Sequence, residues 1–117
     1  MPSTGGRSCA SSRPATNHSR AAVRRSLDAG FDLVTVYAGH GLSTLGQFLS
    51  PLLNARTDAY GGSVENRARL LFEVIDAVTA AVGADRVGVR LSPMGKSFGM
   101  DDPDPEALFA HVVRELD

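Results

Sequence analysis

From Ser19 onward, apolar positions first recur at helical spacing. Ala21, Ala22, Val23, Leu27 and Ala29 predict a helix with Ser19 as its N-cap and Gly30 as its stop. The period then shortens to two. Phe31–Val36 is a β-branched run directly after a helix stop, which predicts a strand with Leu33, Thr35 and Tyr37 on one face and Val34 and Val36 on the other. Residues 37–64 carry Gly39, Gly41, Gly46, Pro51, Gly61 and Gly62, and predict a long loop with one short helix near Ser43–Leu49. A connection of that length in a compact domain usually serves a function.

Ser63 fits a second N-cap, with Glu65 in the first turn where a carboxylate favours the helix dipole. Leu71, Ile75, Val78 and Val82 then recur at four, three and four, predicting a helix that ends at Gly83. A second strand, Arg86–Leu91, stops at Ser92-Pro93 because the residue before proline is held extended and proline cannot donate to a ladder. Asp104 as N-cap and Pro105 at the first helical position open a last helix bearing Leu108, Phe109, Val112, Val113 and Leu116.

The order helix, strand, long loop, helix, strand, loop, helix is a βα repeat of the α/β class, and it implies a parallel sheet. A complete (β/α)8 barrel takes about 250 residues; this chain has 117. Two strands leave a sheet with no covered centre, so the pattern reads as an interior slice of a larger fold. Upstream the helical pattern is missing. Residues 1–18 combine Gly5-Gly6, Pro2 and Pro14 with many Ser and Thr, and are expected to form a leader without regular structure ahead of a module spanning 19–117.

Charge changes this picture little. The net charge of -1 exerts no long-range pull toward nucleic acid or anionic lipid. Arg7, Arg13, Arg20, Arg24 and Arg25 all precede Asp28, the first acid, so the leader is basic and the module acidic. That module lacks the basic groove with stacking aromatics that single-stranded nucleic acid requires. The absence of an apolar run of 18 residues argues against a membrane span. Cys9 is the single cysteine, which fits a reducing, cytoplasmic setting.

In α/β units, ligands gather beyond the carboxyl ends of strands. The first strand ends at Tyr37-Ala38-Gly39-His40-Gly41, which places a phenol and an imidazole three residues apart with glycines between them. Both can donate to an oxygen that gains negative charge, although a loop histidine also commonly bonds to backbone or water, and a strand-end tyrosine commonly just packs. On the second strand Arg90 faces opposite Val87, Val89 and Leu91, with Gly88 beside it leaving room for something flat. That guanidinium needs either a structural carboxylate or an electron-rich ligand edge. The polar run from Asn54 to Arg67 reads as scaffold, with Asp58 and Glu65 available as partners for Arg56 and Arg67. His18, His40 and His111 are too scattered for a metal site. Neither a Gly-x-Gly-x-x-Gly nor a Walker loop is present.

Four blocks carry a family resemblance: Ala29-Gly30-Phe31-Asp32, Gln47-Phe48-Leu49-Ser50-Pro51, the run Arg56 to Arg67, and Gly88-Val89-Arg90-Leu91-Ser92-Pro93. In this order they resemble the old yellow enzyme family of FMN-dependent NAD(P)H:flavin oxidoreductases, over about Ser19 to Asp117. The resemblance implies a (β/α)8 barrel, of which this chain supplies about two central βα units. It also implies FMN at the carboxyl ends of the strands, NAD(P)H as hydride donor, and a small activated alkene such as an enone as acceptor. Arg90 matches the arginine that contacts the pyrimidine side of the flavin. His40 matches the second member of the pair that grips the substrate carbonyl, and Tyr37 stands where the first member, a histidine, is usual.

The chain departs from the family at three further points. Leu42 occupies the place of a proton-donating tyrosine, Thr35 that of a frequent acid, and strands from both ends of the barrel have no counterpart. The resemblance therefore implies an oxidoreductase segment that is inactive alone unless complementing barrel fragments or an oligomer complete it. The alternative is a non-catalytic remnant that binds a partner through its uncovered edges.

Overall fold

The computed structural model describes residues 3–39, 41, 43–93 and 102–117, with only backbone described for 3–14. Its elements in order are helix α1 (Ser3–Asp28), strand β1 (Val34–Tyr37), helix α2 (Thr44–Leu49), helix α3 (Val64–Val82), a 3-10 turn (Ala84–Arg86), strand β2 (Val87–Arg90) and helix α4 (Pro105–Leu116). β1 and β2 pair in one two-stranded sheet, with α2 and α3 in the connection between them. Two compact units divide the chain: Met1–Val36 with Phe72–Gly88, and Tyr37–Leu71 with Val89–Asp117.

In the first unit, Val23 of α1, Val36 of β1 and Val74, Ile75, Ala77 and Val78 of α3 are buried. Val23, Val36, Ile75 and Val78 belong to the apolar runs that the helical and strand periods marked, whereas Ala21, Ala22 and Ala29 of the first run are exposed. Gly30 after α1 and Gly83 after α3 adopt φ of 104° and 95°, the left-handed region that glycine enters without strain. β1 begins at Val34 rather than Phe31, and Phe31 and Leu33 are left 66% and 67% exposed.

The helix start also differs from the sequence reading. α1 opens at Ser3, so Ser19 is an interior residue and not an N-cap, and the helical backbone runs through residues 3–18, which were expected to be irregular. Once the turns around Val23 are seated in the core, adding a further turn costs far less than nucleating one. Gly5, Gly6 and Pro14 each oppose that extension.

In the second unit the buried set is Ala38, Leu49, Tyr60, Ala68, Leu70, Leu71, Leu108, Phe109 and Val112, with Ser50 as the one polar residue named among them. Each of its three helix starts is capped by a side-chain oxygen three residues upstream of the N–H it accepts, as expected for Ser63 and Asp104. Ser43 accepts from Gly46 at 3.0 Å, Ser63 from Asn66 at 3.2 Å and Asp104 from Ala107 at 3.3 Å. Ser50 Oγ accepts from Leu52 and Leu53 at 3.2 and 3.3 Å, which satisfies a hydroxyl only 1% exposed.

Both strands present one face to the helices and one outward. Val34 and Val36 are covered whereas Thr35 and Tyr37 are exposed; Val87 and Val89 are partly covered whereas Gly88 and Arg90 are exposed. Within the first unit a Cβ on Gly88 would lie 3.9 Å from Thr35 Oγ1, and within the second a Cβ on Gly39 would lie 2.6 Å from Ser92 Oγ. The pairs Thr35/Gly88, Tyr37/Arg90 and Gly39/Ser92 keep a constant offset, the register of a parallel pair.

Candidate functional site

The second unit joins the carboxyl ends of the two strands. Ala38 N donates to Arg90 O at 2.9 Å, which continues the ladder one step past β1. On the outward face of that joint the Arg90 guanidinium stands 5.7 Å from the centroid of the Tyr37 ring, within cation–π range. Tyr37 is 41% exposed and Arg90 is exposed. No ion pair to Arg90 occurs among the described residues, so its charge is not spent on a scaffold carboxylate there.

Gly39 explains how the ring reaches this place. A Cβ on Gly39 would lie 3.0 Å from Tyr37 Cε1 and 3.5 Å from its Cζ, so the phenol folds back over bare backbone. Ser92 closes the other side, its Oγ lying against the same glycine. Ser43 holds the turn from below, with its hydroxyl donating to Gly39 O at 2.8 Å while it caps α2.

Of the residues singled out from the sequence, Tyr37 and Arg90 are brought together here. His40 and Leu42 lie outside the described residues. Ser92 was read only as a strand stop; its position two residues beyond Arg90, on the same face of an alternating strand, was the signal that marks it.

The polar run from Asn54 to Arg67 is built differently. Asn54 Nδ2 donates to Phe48 O at 2.7 Å and Tyr60 O at 2.8 Å, while its Oδ1 accepts from Arg56 N at 3.0 Å. Arg56 forks onto Asp58, whose Oδ1 also takes the Tyr60 N–H at 3.0 Å. The Arg56 hydrogen bond, assisted by the Tyr60 N–H, holds the Asp58 carboxyl below the ordinary carboxylate range, and the same bond raises Arg56. Arg56 also stands 5.4 Å from the Phe48 ring, which meets Tyr60 edge-on. Arg67 does not pair with Glu65. It donates to Leu49 O at 3.1 Å and Gly62 O at 2.9 Å, two main-chain carbonyls.

The sequence matches the NADH:flavin oxidoreductase / NADH oxidase family over residues 15–116. The chain belongs to this family. Within it, the chain is 52% identical over 101 residues to a putative 12-oxophytodienoate reductase 13 of Oryza sativa subsp. japonica, covering 86% of this chain and 27% of that protein. It is 48% identical over 96 residues to a probable flavin mononucleotide-dependent alkene reductase of Leishmania infantum, covering 82% of this chain and 26% of the relative. Morphinone reductase in complex with tetrahydroNAD superposes on 91% of this chain and 29% of its own, with a TM-score of 0.85 and 44% identity. An old yellow enzyme from a Pichia species gives 0.84 and 45%, over 89% of this chain and 28% of its own. The family chain described here is therefore part of a (β/α)8 barrel, spanning about a quarter of the length of the relatives it matches.

No helix among the described residues is long and apolar enough to cross a membrane. Nor do the described residues contain a cluster of His, Cys, Asp and Glu that could hold a metal ion.

Proposed function

We propose that this chain is the central flavin-facing section of an FMN-dependent NAD(P)H oxidoreductase of the ene-reductase type. One observation carries the reading: a guanidinium and a phenol, 5.7 Å apart and both exposed, share the outward face where two barrel strands end. The residues fit a flavin edge. Arg90 lacks a carboxylate among the described residues, Tyr37 offers a donor and an aromatic face, and Gly39 and Ser92 keep the mouth shallow.

FMN, when bound, would accept hydride from NAD(P)H and deliver it to the β-carbon of an activated alkene such as an enone. The residues of this chain have the supporting roles. Arg90 stabilises negative charge on the pyrimidine side of the ring, and Tyr37 with His40 donates hydrogen bonds to the carbonyl oxygen that gains charge. Leu42 can donate nothing, so the proton for the alkene comes from water or another group. The similarity to an alkene reductase, and to a structure that holds a reduced nicotinamide analogue, supports this assignment.

Catalysis in this reading takes the remaining barrel strands, supplied by complementing segments or a further subunit. Phe31 and Leu33, each about two-thirds exposed, favour such a covering. The lone cysteine fits a cytoplasmic setting. Titration of the purified chain with FMN, followed by flavin fluorescence and absorbance, is expected to saturate with a shifted flavin spectrum. A linear, non-saturable response with a free-flavin spectrum would favour a partner-binding remnant instead.

A further inference from the structure

We infer that Ser92 is a further ligand-contacting residue of this mouth, its hydroxyl taking a polar edge atom of the flavin ring beside Arg90. The inference rests on the flavin reading above and deepens it. Carried two residues past the end of β2, the strand's alternation puts Ser92 on the face of Arg90, and a Cβ on Gly39 would lie 2.6 Å from Ser92 Oγ and 3.0 Å from Tyr37 Cε1. The side chain is half-buried, and among the described residues no hydrogen bond reaches it. The two neighbouring serines contrast with it: Ser43 and Ser50 each bond to backbone at 3.3 Å or less. A half-buried hydroxyl on that face, bonded to no other described residue, is open to a bound polar edge.

Its chemistry also complements its neighbour. A guanidinium can only donate, whereas a hydroxyl donates or accepts. The edge of an isoalloxazine ring presents both acceptor oxygens and an N–H, so Arg90 alone leaves part of it unmatched. Pro93 holds Ser92 extended, so little ordering accompanies contact.

The test uses the full chain and lumiflavin, which has the ring without the phosphate tail. Ser92→Ala is expected to weaken lumiflavin binding about tenfold, the loss of one net hydrogen bond, with an unchanged melting temperature. Gly39→Ala, whose methyl would fall 2.6 Å from Ser92 Oγ, is expected to weaken it comparably, and the double variant to fall short of the product of the two. Equal lumiflavin affinity in wild type and Ser92→Ala overturns the inference while leaving the flavin reading intact. So does a loss confined to a phenolate probe, p-hydroxybenzaldehyde, on the flavin-loaded chain, which would assign Ser92 to substrate. A fall in affinity matched by a fall in melting temperature makes Ser92 structural and overturns it as well. If wild type takes no flavin at all, the functional reading falls first and this one with it.

Discussion

The loop from Asn54 to Arg67 and the mouth at the strand ends are both polar, both lie in the second unit, and are wired in opposite ways. In the loop, Asn54, Asp58, Asn66 and Arg67 each bond to main chain, at 2.7 to 3.1 Å. At the mouth, Arg90 meets a ring face and Ser92 meets bare glycine. Polar groups that bond to their own backbone shape a fold. Those held in place but left open are available to a ligand. Substitutions in the loop should therefore cost stability, whereas substitutions at the mouth should cost binding.

The largest stability effect is expected at Gly61. An added Cβ there would collide with the Arg56 carbonyl and carbon, and backbone cannot yield as a flexible side chain does. Gly61→Ala is expected to cost about 3 kcal/mol, measured by urea denaturation. A change below about 0.5 kcal/mol would place the loop outside the cooperative fold. Asn54→Ala comes next. It strips the carbonyls of Phe48 and Tyr60 of their shared donor, for about 2 kcal/mol. Asn54→Asp sharpens this case, since it keeps an acceptor for Arg56 N–H but turns a carboxylate toward two carbonyls; it should be at least as unstable as the alanine.

The smallest effect concerns Asp58. Its carboxyl is lowered in the folded chain by the Arg56 hydrogen bond and the Tyr60 N–H. The stabilisation is therefore fully present above the unfolded carboxylate pKa of about 3.9 and is lost as pH falls through the lowered folded value. Melting temperatures of wild type and Asp58→Asn should differ slightly at neutral pH and converge in acid. A gap that widens in acid would contradict the assignment. The pair is exposed, so screening keeps the effect small.

The contrast between the two regions also explains what could be read from the chain alone. Caps at Ser63 and Asp104 were legible because a cap joins a side chain to an N–H three residues on. The placing of Tyr37 on the face of Thr35, and of Arg90 opposite Val87 and Val89, followed from a period of two. The sequence offers Glu65 as an available partner for Arg67, whereas the observed partner, Leu49 O, lies 18 residues away and is not visible to a local reading. The start of α1 escaped a local reading, since helix propagation from Val23 depends on tertiary burial.

Flavin binding by wild type and Arg90→Ala, each paired with a melting curve, addresses the mouth most directly. Arg90 is exposed and forms no ion pair among the described residues, so its removal should leave stability within about 0.5 kcal/mol. The loss of a charge-assisted contact should weaken FMN binding by about tenfold to a hundredfold. An Arg90→Ala chain that binds FMN as tightly as wild type would contradict the flavin assignment of the Tyr37–Arg90 mouth.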